Sequence, residues 1–423
     1  MKLKEFCKLQ TRCVLCESER LELVLDLGNT PIANKLESRR LVHLEDEFFP
    51  LRLGMCSECS HLQLLDIIDS KILFANYPYV SNSNLGTARR FRELSQTLFE
   101  KYCKNQSDLS GNSLVIEIGS NDGFLLQLFK NKSCDVLGID PAGEATRIAI
   151  DNGVRTITDF FSYKLAQEIH RDYPQPKLIV ANNVLAHSDD LVGIFQGIKL
   201  LMANETVLVV EFSYALDIYN KLLIDTIYHE HMSYHSIIPI QQFLEKLGLR
   251  IFEVERFEAH GGSARISVCL TNSKFPEQPS VQESISEEIV AGLHKLDSWK
   301  ILSDRIGMLS ETISSEISRV VNLGFNFSGY GVPAKFATLF HSLKMSEKDF
   351  SCIYDDNESK IGKLAPGTNL LIEPSSNLIN AEESYLLIFS WNYSKEIVEK
   401  LKQNFPAVKG VLIPLPEFSL VVF

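Results

Sequence analysis

Apolar residues fall along this chain in two rhythms, and the changes between them mark out three regions. Over residues 1–75 they form short runs, LELVLDL, FFPLRLGM and HLQLLDI, of strand length and bounded by polar or turn-forming residues. A helical spacing follows over 84–104, where Leu85, Phe91, Leu94, Leu98 and Phe99 recur at mixed three- and four-residue steps. The polar segment 105–112, NQSDLSGN, reads as a linker. Buried strands then alternate with amphipathic helices: SLVIEIG, a helix from FLLQLFK, VLGID, a helix AGEATRIAI, KLIVANN and TVLVVEF. That alternation predicts a parallel, doubly wound sheet. Residues 281–322 read as helical throughout. A second alternation opens near 325, with NFSGYGVPAK, SCIYDD, YLLIFSWN and GVLIPLP, and predicts a second, Rossmann-like half. The fold class is α/β, with expected domains at 1–80, 81–248 and 249–423.

Composition narrows the class of function. A net charge of −12 without basic runs argues against a nucleic-acid partner, because neutralising phosphates takes clustered Lys and Arg. The first residues, MKLKEFCKLQTRC, lack the apolar core of a signal peptide, and no window has the uninterrupted apolar length of a membrane span. The expectation is a soluble, cytoplasmic protein, monomeric or homodimeric, with a small-molecule partner. The nine cysteines are an odd number, which argues against a disulfide framework.

Four of those cysteines form two C-x-x-C pairs, Cys13/Cys16 and Cys56/Cys59. Two such knuckles supply four thiolates, a closed tetrahedral shell for a structural zinc ion. The competing readings are a redox C-x-x-C or two unrelated surface pairs.

The strand SLVIEIG runs into Glu117-Ile118-Gly119-Ser120-Asn121-Asp122-Gly123, and a helix opens at Phe124. This glycine turn departs from G-x-G-x-x-G, since Asn121 stands where the second glycine lets a backbone approach a pyrophosphate. That loss hurts a dinucleotide more than S-adenosylmethionine, which has no phosphate. Asp140 ends the next strand, where an acid accepts hydrogen bonds from ribose hydroxyls. Asp159 stands where a third strand would end, within reach of an adenine. The cofactor candidates are Glu117, Gly119, Asn121, Asp122, Gly123, Asp140, Asp159 and Asn182. The competing reading is a Rossmann-like fold that binds nothing.

Beyond TVLVVEF comes Tyr228-His229-Glu230-His231-Met232-Ser233-Tyr234-His235. In a helical turn Tyr228 and His231 are neighbours at i, i+3; in a strand His229 and His231 share a face. Either geometry sets a base near a phenol at the ligand-binding edge of the sheet. The rival readings are a metal pair at His231 and His235, or a structural histidine-rich loop. Further candidates each have a structural alternative. Tyr77-Pro78-Tyr79-Val80-Ser81 is a lid or a packed aromatic turn, and Asn183 and His187 follow a strand at the same edge. His260-Gly261-Gly262-Ser263 cradles an anion or turns the chain, and Lys335 follows a glycine turn that suits a phosphate or close packing.

Taken in order, these motifs resemble those of the zinc-containing, S-adenosylmethionine-dependent sugar C-methyltransferases, which act on nucleotide-linked 4-keto-deoxyhexoses, typically at carbon 3. The likeness runs through the double C-x-x-C, Y-x-Y-x-S, E-I-G-S-N-D-G, A-N-N-V-L-A-H, Y-H-E-H, H-G-G-S, G-Y-G-x-P-A-K, D-N-x-x-K-x-G at 356–362, and Trp391-Asn392. It implies a class I methyltransferase domain between an N-terminal zinc domain and a C-terminal Rossmann-like domain that closes the sugar site. It also implies His231 as base, Tyr228 and Glu230 beside it, and Tyr79 nearby. Tyr77, Ser81, Asn183, His187, His260, Gly262 and Lys335 would meet the sugar nucleotide. Two positions depart from the family pattern, Phe336 where Gly is common and Ser359 where Pro is frequent. On the residues alone, oxygen or nitrogen methylation, a nicotinamide-dependent sugar oxidoreductase and a non-enzymatic zinc scaffold stay open.

Overall fold

The computed structural model describes residues 7–33, 35–36, 48–69, 73, 85–104 and 113–423. The candidates Tyr77, Tyr79 and Ser81 lie outside the described residues.

The N-terminal unit contains β1 (Cys7–Leu9), β2 (Leu21–Pro31), β3 (Phe48–Cys56), β4 (Leu62–Leu64) and β5 (Asp66–Ile68). β2, β3 and β4 pair antiparallel, with Leu25, Leu51, Leu53 and Leu64 buried. Cys13 and Cys16 precede β2, Cys56 ends β3, and Cys59 stands in the tight turn to β4. The four sulfurs all lie within 4.8 Å of one another. The pairs Cys13–Cys59 and Cys16–Cys56 are 3.6 and 3.5 Å apart. Thiolates about 2.3 Å from one zinc ion sit roughly 3.8 Å from each other, so the donors fit a tetrahedral ion and leave no open position.

The middle unit is built on β6 (Leu114–Ile118), β7 (Asp135–Ile139), β8 (Thr156–Ile157), β9 (Leu178–Asn182) and β10 (Val207–Ser213). These strands are parallel, and most of their residues are buried because helices cover both faces. Two of its helices begin where a side chain satisfies one of their first N–H groups. Ser162 accepts from Leu165 at 3.2 Å, and Asp190 accepts from Gly193 at 2.8 Å. The two-residue strand β11 (Ser233–Tyr234) leaves this unit and pairs antiparallel with β4, completing the N-terminal sheet. Two longer strands, β12 (Leu249–Phe257) and β13 (Ser263–Leu270), then join the parallel sheet beside β10 in the order β12-β13-β10-β9-β6-β7-β8. The sheet therefore runs past residue 248, where the sequence reading ended the middle domain, because an antiparallel hairpin adds to its edge.

The stretch 281–322, expected to be helical throughout, is made of two helices, Pro279–Ala291 and Leu296–Asn322. Gly292, at φ +71°, ends the first in the left-handed conformation that costs other residues strain. The C-terminal unit is a second parallel sheet closed by one antiparallel strand. Its members are β14 (Asn326–Tyr330), β15 (Ile353–Asp355), β16 (Ile372–Pro374), β17 (Ser384–Ile388), β18 (Val408–Ile413) and β19 (Ser419–Val422), in the order β16-β15-β14-β17-β18-β19. The helices Leu296–Asn322 and Phe336–Ser342 pack on β2, and Phe48 meets His341 edge-on at 4.9 Å between ring centres. Among the described residues, no helix is long and apolar enough to cross a membrane.

Since β11 completes the sheet whose end carries Cys56 and Cys59, the zinc site should hold more than its own unit. Cys56→Ser should take zinc from one ion per chain to near zero, as read by atomic emission. Amide exchange should then rise at 48–64 and also at 232–235. Faster exchange confined to 48–64 would show that the later strand does not depend on the metal.

Candidate functional site

The carboxyl ends of β6, β7, β9 and β10 open on one edge. Gly119 leaves β6 at φ +70°, and a Cβ there would come within 2.2 Å of the Val184 side chain. Asn121 follows at φ +48°, and Gly123, at φ +72°, starts the helix Phe124–Lys130. This winding presses the turn against Val184 and brings the Asn121 N–H to one Asp140 oxygen at 2.9 Å. The other Asp140 oxygen accepts from Ala142 N–H at 2.8 Å. Asp140 is buried, and burial raises its carboxyl above the ordinary range. Asp122 is buried beside it and accepts the Phe124 N–H at 3.2 Å, so it also caps the helix.

Two groups at this edge call for a ligand. Glu117 is buried, and its Oε2 has no hydrogen-bond partner among the described residues. Burial, reinforced by Asp140 and Asp122, holds its carboxyl well above the usual value. Asn182 ends β9 with its amide oxygen and nitrogen both shielded from water and likewise unpartnered. Unpaired buried polar atoms are costly unless a bound group supplies the partners. Ribose hydroxyls and an adenine edge offer such donors and acceptors, so the residues fit S-adenosylmethionine. Asp159 is exposed two residues past β8, with one oxygen accepting the Phe160 N–H at 2.7 Å.

The chain after β9 carries the site sideways. Asn183 adopts φ +53° and donates its amide to Glu211 at 3.2 Å. A 3-10 turn, Leu185–His187, then brings His187 to the carbonyl of Glu230, which accepts from its Nδ1 at 2.7 Å. Met232 N–H donates to the Ala186 carbonyl at 2.6 Å. The Tyr-His-Glu-His segment thus lies one short turn of chain from the glycine turn, with Val184 between them.

Residues 228–231 form a tight turn, His231 N–H donating to Tyr228 O at 2.9 Å. It is neither strand nor helix, but the turn pairs Tyr228 with His231 at i, i+3, as the helical alternative expected. The Tyr228 hydroxyl and His231 Nε2 are 2.9 Å apart, and His231 Nδ1 is 2.9 Å from the Thr226 carbonyl. A carbonyl can only accept, so Nδ1 carries the proton and the Nε2 lone pair faces the Tyr228 hydroxyl. The His187 ring meets that of His231 edge-on at 4.9 Å. Glu230 is buried in the same turn.

The neighbouring histidines point elsewhere. His229 donates from Nε2 to the Pro50 carbonyl at 3.1 Å, in the N-terminal sheet. His235 stacks on His61 at 5.7 Å and packs against Phe212. Among the described residues, the four cysteines form the one cluster suited to a metal. The His260 side chain is not among the described ones. Gly262, at φ +156°, passes so close to Asp217 that a Cβ would come within 2.4 Å of it. Lys335 Nζ lies 3.8 Å from Asp225 Oδ1.

Sequence reasoning missed two groups. Glu211 is fully buried and accepts from Arg265 at 2.9 Å, from Arg90 and from Asn183. A charged residue inside TVLVVEF was the available signal, since a buried carboxylate needs cations. Asp225 is buried and accepts from the Trp391 indole at 2.7 Å. No local pattern announces that contact.

Three protein-family models match the chain in tandem. They are "Putative zinc binding domain" over 13–74, "Methyltransferase domain" over 88–254 and "C-methyltransferase C-terminal domain" over 258–416. The chain thus carries, in this order, a zinc-binding domain, a methyltransferase domain and a C-methyltransferase C-terminal domain. It is 28% identical to C-methyltransferase NovU of Streptomyces niveus over 405 residues, which is 96% of this chain and 95% of that protein. Among solved structures, magnesium protoporphyrin IX methyltransferase (ChlM) from Synechocystis with bound S-adenosylmethionine aligns at 14% identity. It covers 44% of this chain and 80% of its own, at a TM-score of 0.31. The PH0226 protein of Pyrococcus horikoshii aligns at 13% identity over 47% of this chain and 99% of its own, at 0.37. The family models, the relative and the strand order of the middle sheet together make this an S-adenosylmethionine-dependent methyltransferase of class I fold with a zinc-binding N-terminal domain. Transfer to carbon sets aside oxygen and nitrogen methylation, the nicotinamide oxidoreductase and the non-enzymatic scaffold.

Gly119→Ala should weaken S-adenosylmethionine binding at least tenfold by calorimetry, because the new methyl group collides with Val184 at a left-handed residue. Binding within twofold of wild type would remove the turn from the cofactor site.

Burial lowers the imidazoles of His229 and His235 to about 4. The unfolded chain protonates them near 6.5, so their stabilising effect is complete above that pH and is lost as pH falls toward 4. Each accounts for about 3 kcal/mol over that window. Glu117, raised by burial, acts in the opposite sense, so the comparison is by difference. His229→Gln should flatten the fall in urea-unfolding stability between pH 6.5 and 4 by up to that amount.

Proposed function

We propose that this enzyme methylates carbon 3 of a nucleotide-linked 4-keto-deoxy sugar, with His231 as the base. The observation that carries this reading is the fixed tautomer of His231, whose basic Nε2 stands beside a phenol hydroxyl at the edge of the cofactor-binding sheet. A carbon atom is a poor nucleophile until it loses a proton. A ketone on the next carbon makes that loss feasible, because the electron pair spreads onto its oxygen. His231 Nε2 takes the proton, and the C–H pair moves into the enolate. The Tyr228 hydroxyl, which donates to Nε2 in this structure, would turn to the developing oxyanion and free that lone pair for the proton. When bound, S-adenosylmethionine would supply the electrophilic methyl group to the enolate carbon, its sulfonium leaving as a neutral thioether. Glu117, Gly119, Asn121, Asp122, Gly123, Asp140 and Asn182 would hold it, with Asp159 at the rim. His187 packs edge-on against the His231 ring, and Asn183, anchored on Glu211, would meet the sugar.

Bases and oxyanion donors each contribute about 10²-fold or more. His231→Ala should lower kcat by at least about two orders of magnitude with S-adenosylmethionine affinity intact. Tyr228→Phe should lower it by roughly ten- to a hundredfold. The substrate is tested by incubation with labelled S-adenosylmethionine and a panel of 4-keto sugar nucleotides, read by mass. Methyl transfer to sugars lacking the ketone, or near-normal turnover in His231→Ala, would overturn the reading.

A further inference from the structure

The His231 ring is fixed through the carbonyl of Thr226, and the residue before Thr226 is Asp225. Asp225 belongs to the short 3-10 turn Ile224–Thr226 and is 1% exposed. The groups around its carboxylate come from the C-terminal unit. The Trp391 indole donates to Oδ2 at 2.7 Å, and the Lys335 ammonium lies 3.8 Å from Oδ1. The same ammonium is 6.0 Å from the Trp391 ring centre. Gly261 makes room for the indole, since a Cβ there would come within 3.0 Å of its six-membered ring and 2.9 Å of Leu223. A buried charge pair is a poor source of stability compared with apolar packing of the same volume, but it is demanding about geometry. One turn of chain therefore carries, on adjacent residues, the acceptor that fixes the base and the carboxylate that receives the C-terminal unit.

We propose that Asp225 is a positioning residue. By holding Trp391 and Lys335 it sets the Ile224–Thr226 turn, so that the Thr226 carbonyl keeps His231 Nε2 aimed at the reacting carbon. Closure of the C-terminal unit and alignment of the base are then one event. Lys335 acts through Asp225 on the base. This rests on the reading of His231 as base given above.

The chain has two tryptophans, Trp299 and Trp391, so a Trp299→Phe background leaves Trp391 as the single emitter. In that background Asp225→Asn should shift the Trp391 emission, because the indole N–H loses an anionic acceptor. In the otherwise unaltered chain, Asp225→Asn should lower kcat tenfold or more on the 4-keto sugar nucleotide accepted from the panel. Affinity for S-adenosylmethionine by calorimetry should stay within about twofold. Trp391→Phe breaks the link from the other end and should reproduce the loss of turnover, should the Asn variant fold poorly. The deciding measurement is made in the His231→Ala background. A positioning residue costs nothing more once the base is gone, so Asp225→Asn should then leave the residual rate unchanged. An equal loss in both backgrounds would make Asp225 purely structural and overturn the proposal, as would an unchanged Trp391 emission. Near-normal turnover in Asp225→Asn alongside a crippled His231→Ala would sink Asp225 and spare the base. Near-normal turnover in His231→Ala would sink the base and this proposal with it.

Discussion

The arrangement depends on two residues of backbone pairing, Ser233 opposite Gln63 and Tyr234 opposite Leu62. Leu64 N–H also donates to the Met232 carbonyl at 2.8 Å, and His229 reaches Pro50 in the same sheet. Through these bonds the segment that follows His231 becomes the edge strand of the N-terminal sheet. Each bond contributes on the order of 1 kcal/mol, too little to hold a loop alone. Their effect comes from the rigidity of the partner. β3 and β4 are joined by the turn that carries Cys56 and Cys59, and a zinc ion on the four thiolates would hold that turn closed. On its other side the segment is tied to the Leu185–His187 turn, which follows β9 of the parallel sheet. A side chain supported from two sides can keep its orientation although its own turn is irregular.

The cofactor edge has a different electrostatic logic. Glu117, Asp122 and Asp140 stand together, and burial with mutual repulsion disfavours the charged form of Glu117. Backbone N–H groups satisfy Asp140, and they reach it because Gly119 and Asn121 turn the chain left-handed. The neighbouring carboxylate Glu211 is treated in the opposite way, with two arginines against it. The acidic edge therefore suits a ligand that brings hydroxyls and positive charge, and it is a poor site for a pyrophosphate. That is the distinction Asn121 suggested at the position of the second glycine.

Much of this was legible in the sequence because it is encoded locally. A parallel strand buried on both faces must be a continuous apolar run, so β6, β9 and β10 stood out. The glycine turn followed from its place after such a run, and the zinc ligands from two knuckles. The spacing of Tyr228 and His231 gave their contact once a helical turn was allowed. Features that depend on distant partners were not legible. β11 is two residues long and carries no period. The hairpin of β12 and β13 reads as strands, but nothing in it says which sheet it joins, and it was assigned to the C-terminal unit. Gly292 inside a helical pattern is an ordinary cost until the chain is seen to turn there. Asp225 and Trp391 are 166 positions apart, and neither has a neighbour that hints at the other.

The density of histidines was a weaker guide than it seemed, for a physical reason. An imidazole has two nitrogens, and a buried one must satisfy them or lose stability. Around the site the protein solves this with main-chain carbonyls. His229 uses Pro50, His187 uses Glu230, and His231 uses Thr226. Every such bond fixes a neutral tautomer, and burial holds His229 and His235 neutral far below their usual pKa. Clustering alone therefore says little about catalysis, since neutral, buried imidazoles can serve as packing elements. His231 differs in what its second nitrogen meets, a phenol hydroxyl beside the cofactor edge rather than the N-terminal sheet. That single difference in surroundings, and not the count of titratable groups, separates a candidate base from the histidines around it.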